Sequence, residues 1–139
     1  MILLDTSVLS RVFRRRRPDA DERPLQDVFE RLMSSDMPLG LPGIVLQEVL
    51  SGLRSQKQFR DLRSQLLGAF TILPATVNEH VEAARLRNTC ASKGANVSGI
   101  DCLIAASTMA GGHELFTVDA DFDAIARHAP LTLVKDQVI

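Results

Sequence analysis

The stretch Ile2-Leu3-Leu4-Asp5-Thr6-Ser7-Val8-Leu9 places an acid and two hydroxyl residues between two apolar segments. Residues 1–4 predict a short buried strand. Residues 6–13 predict a helix that directly follows this strand, with Asp5 or Thr6 available as its cap. An acid at the carboxyl end of a strand lies where ligands bind in open α/β sheets. The opening of the chain therefore indicates both a fold class and a candidate site.

The same alternation of short strands and helices continues along the chain. Because strands separated by helices imply right-handed crossovers, we expect a three-layer α/β/α sandwich with a central, mainly parallel five-stranded sheet. Further helices are predicted over residues 25–33, 42–53, 57–70, 76–93, 100–109 and 121–128, and further strands over 38–41, 71–73, 114–118 and 131–134. In the longest helix, Val77, Val81, Ala84 and Ala91 are predicted to share its apolar face.

The composition is that of an ordinary globular protein. The chain has 139 residues, 45% of them hydrophobic and 24% charged, which predicts one domain over residues 1–139. No apolar run is long enough to cross a membrane. Asp5 interrupts the first apolar stretch, which argues against a signal peptide. Cys90 and Cys102 lie in apolar helical segments and are interpreted as buried thiols, so we expect a cytoplasmic protein.

Acidic residues occur where the predicted elements meet the ligand-binding edge. Asp5 ends the first strand, Asp119 and Asp121 follow the fourth, Asp101 opens a helix that is apolar all round, and Glu48 lies on an apolar helical stripe. Taken singly, each has a simpler explanation. The Asp residues can be helix caps, turn residues or partners of a helix dipole, with Asp121 the strongest candidate for a plain cap. The long side chain of Glu48 can reach solvent from the rim of its stripe.

Together these acids favour a metal site. Carboxylates that converge without a counter-ion raise one another's pKa and destabilise the fold. No Lys or Arg is adjacent in sequence to Asp5, Asp101 or Asp119. Oxygen-only ligands select hard cations, so Mg²⁺ is expected, with Mn²⁺ able to substitute. The neighbouring hydroxyls of Thr6, Ser7 and Thr117 either support the carboxylates or a phosphate, or serve turns and caps.

These segments resemble the motifs of the PIN domain family, and specifically its VapC-type ribonuclease toxins of prokaryotic toxin–antitoxin pairs. The opening stretch is similar to the family's first motif, an apolar strand followed by Asp-Thr-Asn or Asp-Thr-Ser. Glu48 matches the helical Glu of the family, and 101–106 the Asp that opens a small-residue helix. The run Thr117-Val118-Asp119-Ala120-Asp121-Phe122 resembles the final motif. Ser7 stands where Asn is commoner, and Thr108-Met109 replaces a small pair.

The resemblance implies a Mg²⁺- or Mn²⁺-dependent endoribonuclease that leaves 5′-phosphate and 3′-hydroxyl ends. Its implied partners are an RNA substrate, a cognate antitoxin that silences the enzyme, and a second copy in a homodimer, with no membrane involved. The implied catalytic acids are Asp5, Glu48, Asp101 and Asp119, and the implied metal ligands are Asp5, Asp101, Asp119 and Asp121. The fourth acid is the least settled position of the family. Asp119 is the first choice here, and Asp121 shares or replaces it.

Two groups of basic residues are candidate RNA contacts. The run Arg14-Arg15-Arg16-Arg17 has side chains that can bind phosphates, but acids follow it and a solvated loop explains it as well. A second group recurs every three residues around a predicted helix–helix junction: Arg54, Lys57, Arg60 and Arg63. These residues either line a substrate channel or belong to an ordinary surface helix.

Two other functions are compatible with acids at strand ends. The first is a receiver-type signalling domain, which needs a phospho-acceptor Asp after its third strand. Pro74-Ala75 follows the third strand here, and Lys135 alone is weak support. The second is a non-catalytic binding module with a PIN-like fold. A binding module has no reason to keep several mutually repelling acids, so the nuclease is the leading hypothesis.

Overall fold

Four short strands form a parallel sheet in the computed structural model, which describes residues 1–13 and 23–134. The sheet order is β3-β2-β1-β4, and each neighbouring pair is parallel. The strands are β1 (Ile2–Leu4), β2 (Leu39–Pro42), β3 (Thr71–Leu73) and β4 (Glu114–Phe116). Helices flank the sheet, which confirms the α/β fold predicted from the alternating pattern.

The predicted fifth strand is only a single bridge in the part of the chain that the structure describes. Leu133 pairs in parallel with Leu115 outside the named strands. Two backbone hydrogen bonds of 2.9 Å flank this bridge, from Leu115 N–H to the Thr132 carbonyl and from Val134 N–H to the Leu115 carbonyl. The described residues therefore contain four strands rather than the predicted five.

Seven helices connect the strands within the described ranges. Their boundaries agree with the predicted ones to within about three residues, the scatter expected at helix ends. They are α1 (Thr6–Phe13), α2 (Arg23–Ser34), α3 (Gly43–Leu50), α4 (Gln56–Ala69), α5 (Val77–Ser92), α6 (Gly99–Ala110) and α7 (Asp121–Ala126). None of these helices is both long and apolar enough to cross a bilayer.

The helix α6 is central, as its apolar sequence predicts. All residues from Cys102 to Thr108 except Leu103 are buried. The buried hydroxyl of Thr108 donates a 2.7 Å hydrogen bond to the Ile104 carbonyl, which removes the cost of burying it. This buried helix runs beside β4 and α7. Its first turn therefore lies close to the segment that follows β4.

The prediction that Val77 and Val81 lie on the buried face of α5 is wrong. Val77 is 83% exposed and Val81 45% exposed, whereas Ala83, Leu86 and Cys90 are buried. The helix packs mainly on α6. Two faces of α5 carry apolar residues at helical spacing, and the face that contains Leu86 packs against α6. Both cysteines are buried and free of disulfide bonds, as expected.

Candidate metal centre

The carboxyl ends of β1 and β4 are adjacent, because these strands pair in parallel along their whole length. The backbone N–H of Asp5 donates a 3.2 Å hydrogen bond to the Phe116 carbonyl. Asp119 comes three residues after β4, so the acids that leave the two strands reach the same edge of the sheet. This juxtaposition is the one that the parallel arrangement predicts.

Asp5 is the most buried acid of the site, with only 2% of its surface exposed. Burial raises the pKa of its carboxyl from 3.8 to about 6, an effect partly offset by hydrogen bonds from Ser7 and Thr117. The Ser7 hydroxyl lies 2.8 Å from Asp5 Oδ1 and 3.1 Å from Oδ2. Asp5 thus combines a buried charge with neutral hydrogen-bond donors.

The hydroxyl groups of Ser7 and Thr117 connect the ends of β1 and β4. Both residues were predicted to support the carboxylates. Their oxygens are 3.4 Å apart. The Val118 N–H donates to Ser7 Oγ at 3.2 Å, and the Asp119 N–H donates to Thr117 Oγ1 at 3.0 Å. These contacts fix the segment after β4 against the start of α1. They set the position of Asp119 relative to Asp5.

Three carboxylates converge beside Asp5. Asp101, Asp119 and Asp121 each offer one oxygen, and these three oxygens all lie within 4.8 Å of one another. Burial raises the pKa of Asp101 to about 6, and the negative charges of Asp119, Asp121 and Asp5 contribute to the rise. The charge of Asp5 acts on Asp101, although Asp5 is not one of the three converging groups.

Asp119 has one of the local roles expected for it, that of a turn residue, whereas Asp121 does not have the cap role expected for it. Asp119 Oδ1 accepts a 2.9 Å hydrogen bond from the Asp121 N–H, so Asp119 stabilises the turn that leads into α7. The N-cap position of α7 is Ala120, and Asp121 is the first residue of the helix. The interpretation of Asp121 as a plain cap is therefore wrong. Its carboxylate instead lies with those of Asp101 and Asp119.

Glu48 joins the site through a helix contact. It is half-buried on α3, between the buried side chains of Val45 and Val49. The Thr6 hydroxyl donates a 2.7 Å hydrogen bond to Glu48 Oε1. Because Thr6 follows Asp5 in the chain, this bond holds α3 next to the end of β1. Glu48 itself is not part of the group of three converging acids.

No cationic side chain neutralises these acids within residues 1–13 and 23–134. The ion pairs there join Lys57 to Asp61 and Arg85 to Glu82, all of them exposed. The predicted contacts Arg14, Arg15, Arg16 and Arg17 lie outside the described residues. A cluster of oxygen ligands without a cationic partner suits a hard divalent cation such as Mg²⁺ or Mn²⁺. The donor set therefore fits the predicted metal.

Sequence reasoning missed one residue that positions the cluster. Ser98 is the N-cap of α6, and its hydroxyl accepts a 3.0 Å hydrogen bond from the Asp101 N–H. The signal was present, since Ser98-Gly99-Ile100-Asp101 has the Ser-x-x-Asp spacing of a capping motif. This cap fixes the first turn of α6, on which Asp101 lies.

Comparisons with known proteins identify the family and the fold. The chain matches the PIN domain model over residues 2–128. Its structure is similar to FitAcB from Neisseria gonorrhoeae, with a TM-score of 0.76, 22% identity and 100% of both chains covered. It is also similar to VapBC2 from Rickettsia felis, bound to a promoter DNA fragment, with a TM-score of 0.75, 22% identity and coverage of 96% and 98% of the two chains.

A third similar structure is Mycobacterium tuberculosis VapC20, a toxin that cleaves the sarcin-ricin loop. Here the TM-score is 0.72 at 17% identity, with 95% of this chain and 99% of that chain covered. No curated protein sequence matches significantly. The structural likenesses concern the fold, and the domain match extends over nearly the whole sequence. The chain belongs to the PIN domain family.

Proposed function

We propose that this protein is a Mg²⁺- or Mn²⁺-dependent endoribonuclease toxin that a cognate antitoxin inhibits. The observation that carries the proposal is the convergence of Asp101, Asp119 and Asp121 within 4.8 Å of one another. Buried Asp5 adds a fourth charge that acts on Asp101. Mutually repelling carboxylates are costly to maintain unless they bind a cation. Membership of the PIN family and the likeness in fold to a toxin that cleaves the sarcin-ricin loop support the same activity.

Asp5, Asp101, Asp119 and Asp121 are the proposed metal-holding residues. When bound, a divalent cation would lower the pKa of water and neutralise charge on the scissile phosphate. The chain's own part is to position the oxygens. Ser7 orients the carboxylate of Asp5, and Ser98 fixes the turn that carries Asp101. Mg²⁺ binds few carboxylates directly and retains several waters, so not every acid needs to contact the ion.

Glu48 is proposed to accept or orient the proton of the attacking water. Its Oε1 is held by the Thr6 hydroxyl, and Oε2 has no hydrogen-bond partner among the residues that the structure describes. A carboxylate with one fixed oxygen and one available oxygen is suited to this role. In the proposed reaction, water adds to the phosphorus and gives a proton to Glu48, while the bond to the ribose 3′-oxygen breaks and that oxygen takes a proton from solvent water. The products are a 5′-phosphate and a 3′-hydroxyl end.

Of the two alternative functions, the receiver-type signalling domain is inconsistent with the strand order. The strand order β3-β2-β1-β4 differs from the 2-1-3-4-5 order of receiver domains, and β3 is an edge strand followed by Pro74. A receiver needs an acid at that point. For a non-catalytic module, calorimetry provides the test, because a degenerate site lacks a divalent-metal isotherm.

The proposed partners follow from the charge and the surface. An antitoxin segment with a basic side chain would compete with the metal for the acidic cluster. A homodimer would bury exposed apolar side chains, and Val77, Val81 and Ile100 are exposed on α5 and α6. We further propose that the protein acts in the cytoplasm, where RNA and an antitoxin are both present. Light scattering over a range of concentrations tests the dimer.

The deciding experiment is sequencing of RNA 5′-phosphate ends after brief expression of the intact protein and of Asp5→Asn. We expect new 5′-phosphate ends only with the intact protein. Purified protein should cleave the same RNA, lose activity in EDTA and regain it with Mg²⁺ or Mn²⁺. Asp61→Asn is the matched control, because Asp61 is an exposed acid paired with Lys57 on α4. Equal cleavage by Asp5→Asn and the intact protein would refute the role of Asp5.

A further inference from the structure

A small pocket lies where α3 turns into α4. Its cavity is about 290 Å³, and its lining consists of Leu53, Arg54, Gln56, Phe59 and Arg60. This volume is near the lower limit of pockets that hold small ligands, roughly 300 to 1,000 Å³. The pocket combines an apolar floor, an aromatic ring and two guanidinium groups. These are the groups that bind one nucleotide, with a base on the ring and a phosphate on the arginines.

Phe59 is the exposed aromatic residue of the protein. The chain has six Phe residues and neither Trp nor Tyr. Phe29, Phe70, Phe116 and Phe122 are buried, and Phe13 is half-buried against Phe29. Phe59 is 38% exposed and is absent from the hydrophobic core cluster. Because the core does not enclose this ring, one of its faces is available to a ligand in the pocket.

The two arginines of the pocket have no acidic partner among residues 1–13 and 23–134. Within these ranges, Lys57 pairs with Asp61, whereas Arg54 and Arg60 form no ion pair. The pocket also lies at the beginning of α4, where the helix dipole favours an anion. The charge of this pocket is opposite to that of the acidic cluster. One polyanion can therefore contact both regions, through a metal at the acids and through the arginines here.

The position of the pocket relative to Glu48 is consistent with a single bound strand. The helix α3 runs past the end of β1, where Thr6 holds Glu48. Leu53 follows Glu48 by five residues, so their Cα atoms are at most about 18 Å apart. The helix ends at Leu50, and Gly52 with a φ of 87° makes the turn that leads to Leu53. The pocket is therefore connected to Glu48 by one short turn, and a single strand of RNA can span a separation of this size.

We propose that this pocket is a nucleotide-binding subsite, in which a base of the RNA substrate stacks on Phe59 while Arg54 and Arg60 bind a neighbouring phosphate. The inference rests on the proposed ribonuclease function and adds a substrate contact outside the acidic cluster. A peptide of the antitoxin is the competing occupant. RNA is favoured because it carries both groups that the pocket can bind. The two arginines, which form no ion pair, can bind a phosphate, and the exposed ring can stack on a base.

The absence of Trp from the sequence allows a direct test. Phe59→Trp places the protein's single Trp in the pocket, and stacking of a base on its indole should quench its fluorescence. The titration uses a short single-stranded RNA of mixed sequence, in EDTA so that no cleavage occurs. Leu67→Trp is the control on the same helix, since Leu67 is 41% exposed and outside the pocket. Heparin serves as a polyanion without bases.

We expect RNA to quench the tryptophan fluorescence of Phe59→Trp. RNA should not quench the fluorescence of Leu67→Trp, and heparin should not quench that of Phe59→Trp. Phe59→Ala should raise the KM for RNA about 5- to 150-fold with little change in kcat, and Phe59→Tyr should restore it. Removing Arg54 and Arg60 together should make RNA binding less sensitive to salt. The slope of the logarithm of the binding constant against that of the salt concentration should fall by about 0.7 for each phosphate left unneutralised, whereas Arg85→Ala should not change it.

The outcomes separate this subsite from the nuclease activity. If the intact protein cleaves RNA but Phe59→Trp shows no quenching, the subsite is refuted and the ribonuclease stands. Quenching by heparin as strong as by RNA also refutes base stacking. If Phe59→Trp is quenched by RNA but the intact protein cleaves no RNA with either Mg²⁺ or Mn²⁺, the subsite stands and the nuclease function is refuted.

Discussion

Ser7 donates its hydroxyl proton to the buried carboxylate of Asp5, with its oxygen 2.8 Å from Oδ1 and 3.1 Å from Oδ2. The same hydroxyl oxygen accepts the Val118 N–H at 3.2 Å. A single side chain therefore joins the acid that ends β1 to the segment that carries Asp119. Without it, the burial that raises the pKa of Asp5 would be opposed only by weaker contacts.

Ser7→Ala should weaken metal binding more than it destabilises the fold. Loss of a hydrogen bond to the charged carboxylate raises the pKa of Asp5 above its present value of about 6, so metal must displace a proton at neutral pH. We expect a loss of about 1 kcal/mol in stability and a shift of the pH–activity profile to higher pH. Cleavage measured between about pH 5 and 9 checks this, with Ser92→Ala as the exposed control. An unchanged profile would contradict the role of Ser7.

The metal-free protein should lose stability as the pH rises from about 4 to about 6. The pKa of Asp5 and that of Asp101 are each raised from 3.8 to about 6, so the folded state binds protons more tightly than the unfolded chain in this window. Stability from these groups is therefore present at low pH and lost as the pH rises through the folded-state pKa. The contribution of buried Asp5 to the free energy of unfolding should fall by at most about 3 kcal/mol over this range.

Chemical denaturation of the intact protein and of Asp5→Asn, in EDTA across this pH range, isolates the contribution of Asp5. We expect the two curves to diverge as the pH increases, with the variant the more stable at about pH 8. Asp61→Asn should show no such divergence, because Asp61 is exposed. Parallel curves for Asp5→Asn and the intact protein would show that burial of Asp5 carries no such cost.

Added Mn²⁺ or Mg²⁺ should raise the melting temperature of the intact protein. A ligand at about 100 times its Kd stabilises the folded state by about 2.7 kcal/mol. Asp101→Asn and Asp119→Asn each remove one of the three converging carboxylates, so both variants should lose most of this gain. Calorimetric melting in EDTA and in excess metal provides the measurement. A full metal-induced shift in both variants would place the ion elsewhere.

Much of the fold was predictable because its signals are local. A buried strand, a cap residue and an apolar helix each leave a pattern within a few residues, as in Ile2–Leu4 and in α6. The face of α5 was not predictable in this way. Val77 and Val81 have the same spacing as the residues that are buried, and only the packing of α6 against Ala83, Leu86 and Cys90 distinguishes the two faces.

The candidate site was predictable as a set of acids but not as an arrangement. Parallel strands require Asp5 and Asp119 to reach one edge of the sheet, whatever the details of packing. The grouping of Asp101 with Asp119 and Asp121 depends on how far α6 and α7 extend past that edge. The bond between Thr6 and Glu48 joins residues 42 positions apart, and no local pattern encodes such a contact.

Thr6→Val should reduce RNA cleavage while leaving metal binding nearly intact. The substitution keeps the shape of the side chain but removes the 2.7 Å hydrogen bond to Glu48 Oε1, so the carboxylate can rotate away from the site. Because Glu48 lies outside the group of three converging acids, the loss should affect kcat rather than the affinity for Mn²⁺. We expect a stability cost of about 1 kcal/mol.

Thr89→Val is the matched control, since Thr89 is an exposed β-branched residue on α5. Single-turnover cleavage and Mn²⁺ calorimetry on both variants separate the two effects. A drop in kcat only for Thr6→Val, to a level near that of Glu48→Gln, would show that Thr6 acts through Glu48. If instead Thr6→Val lost Mn²⁺ binding and Glu48→Gln kept it, Thr6 would act on the metal centre through Asp5, and its contact with Glu48 would be structural only.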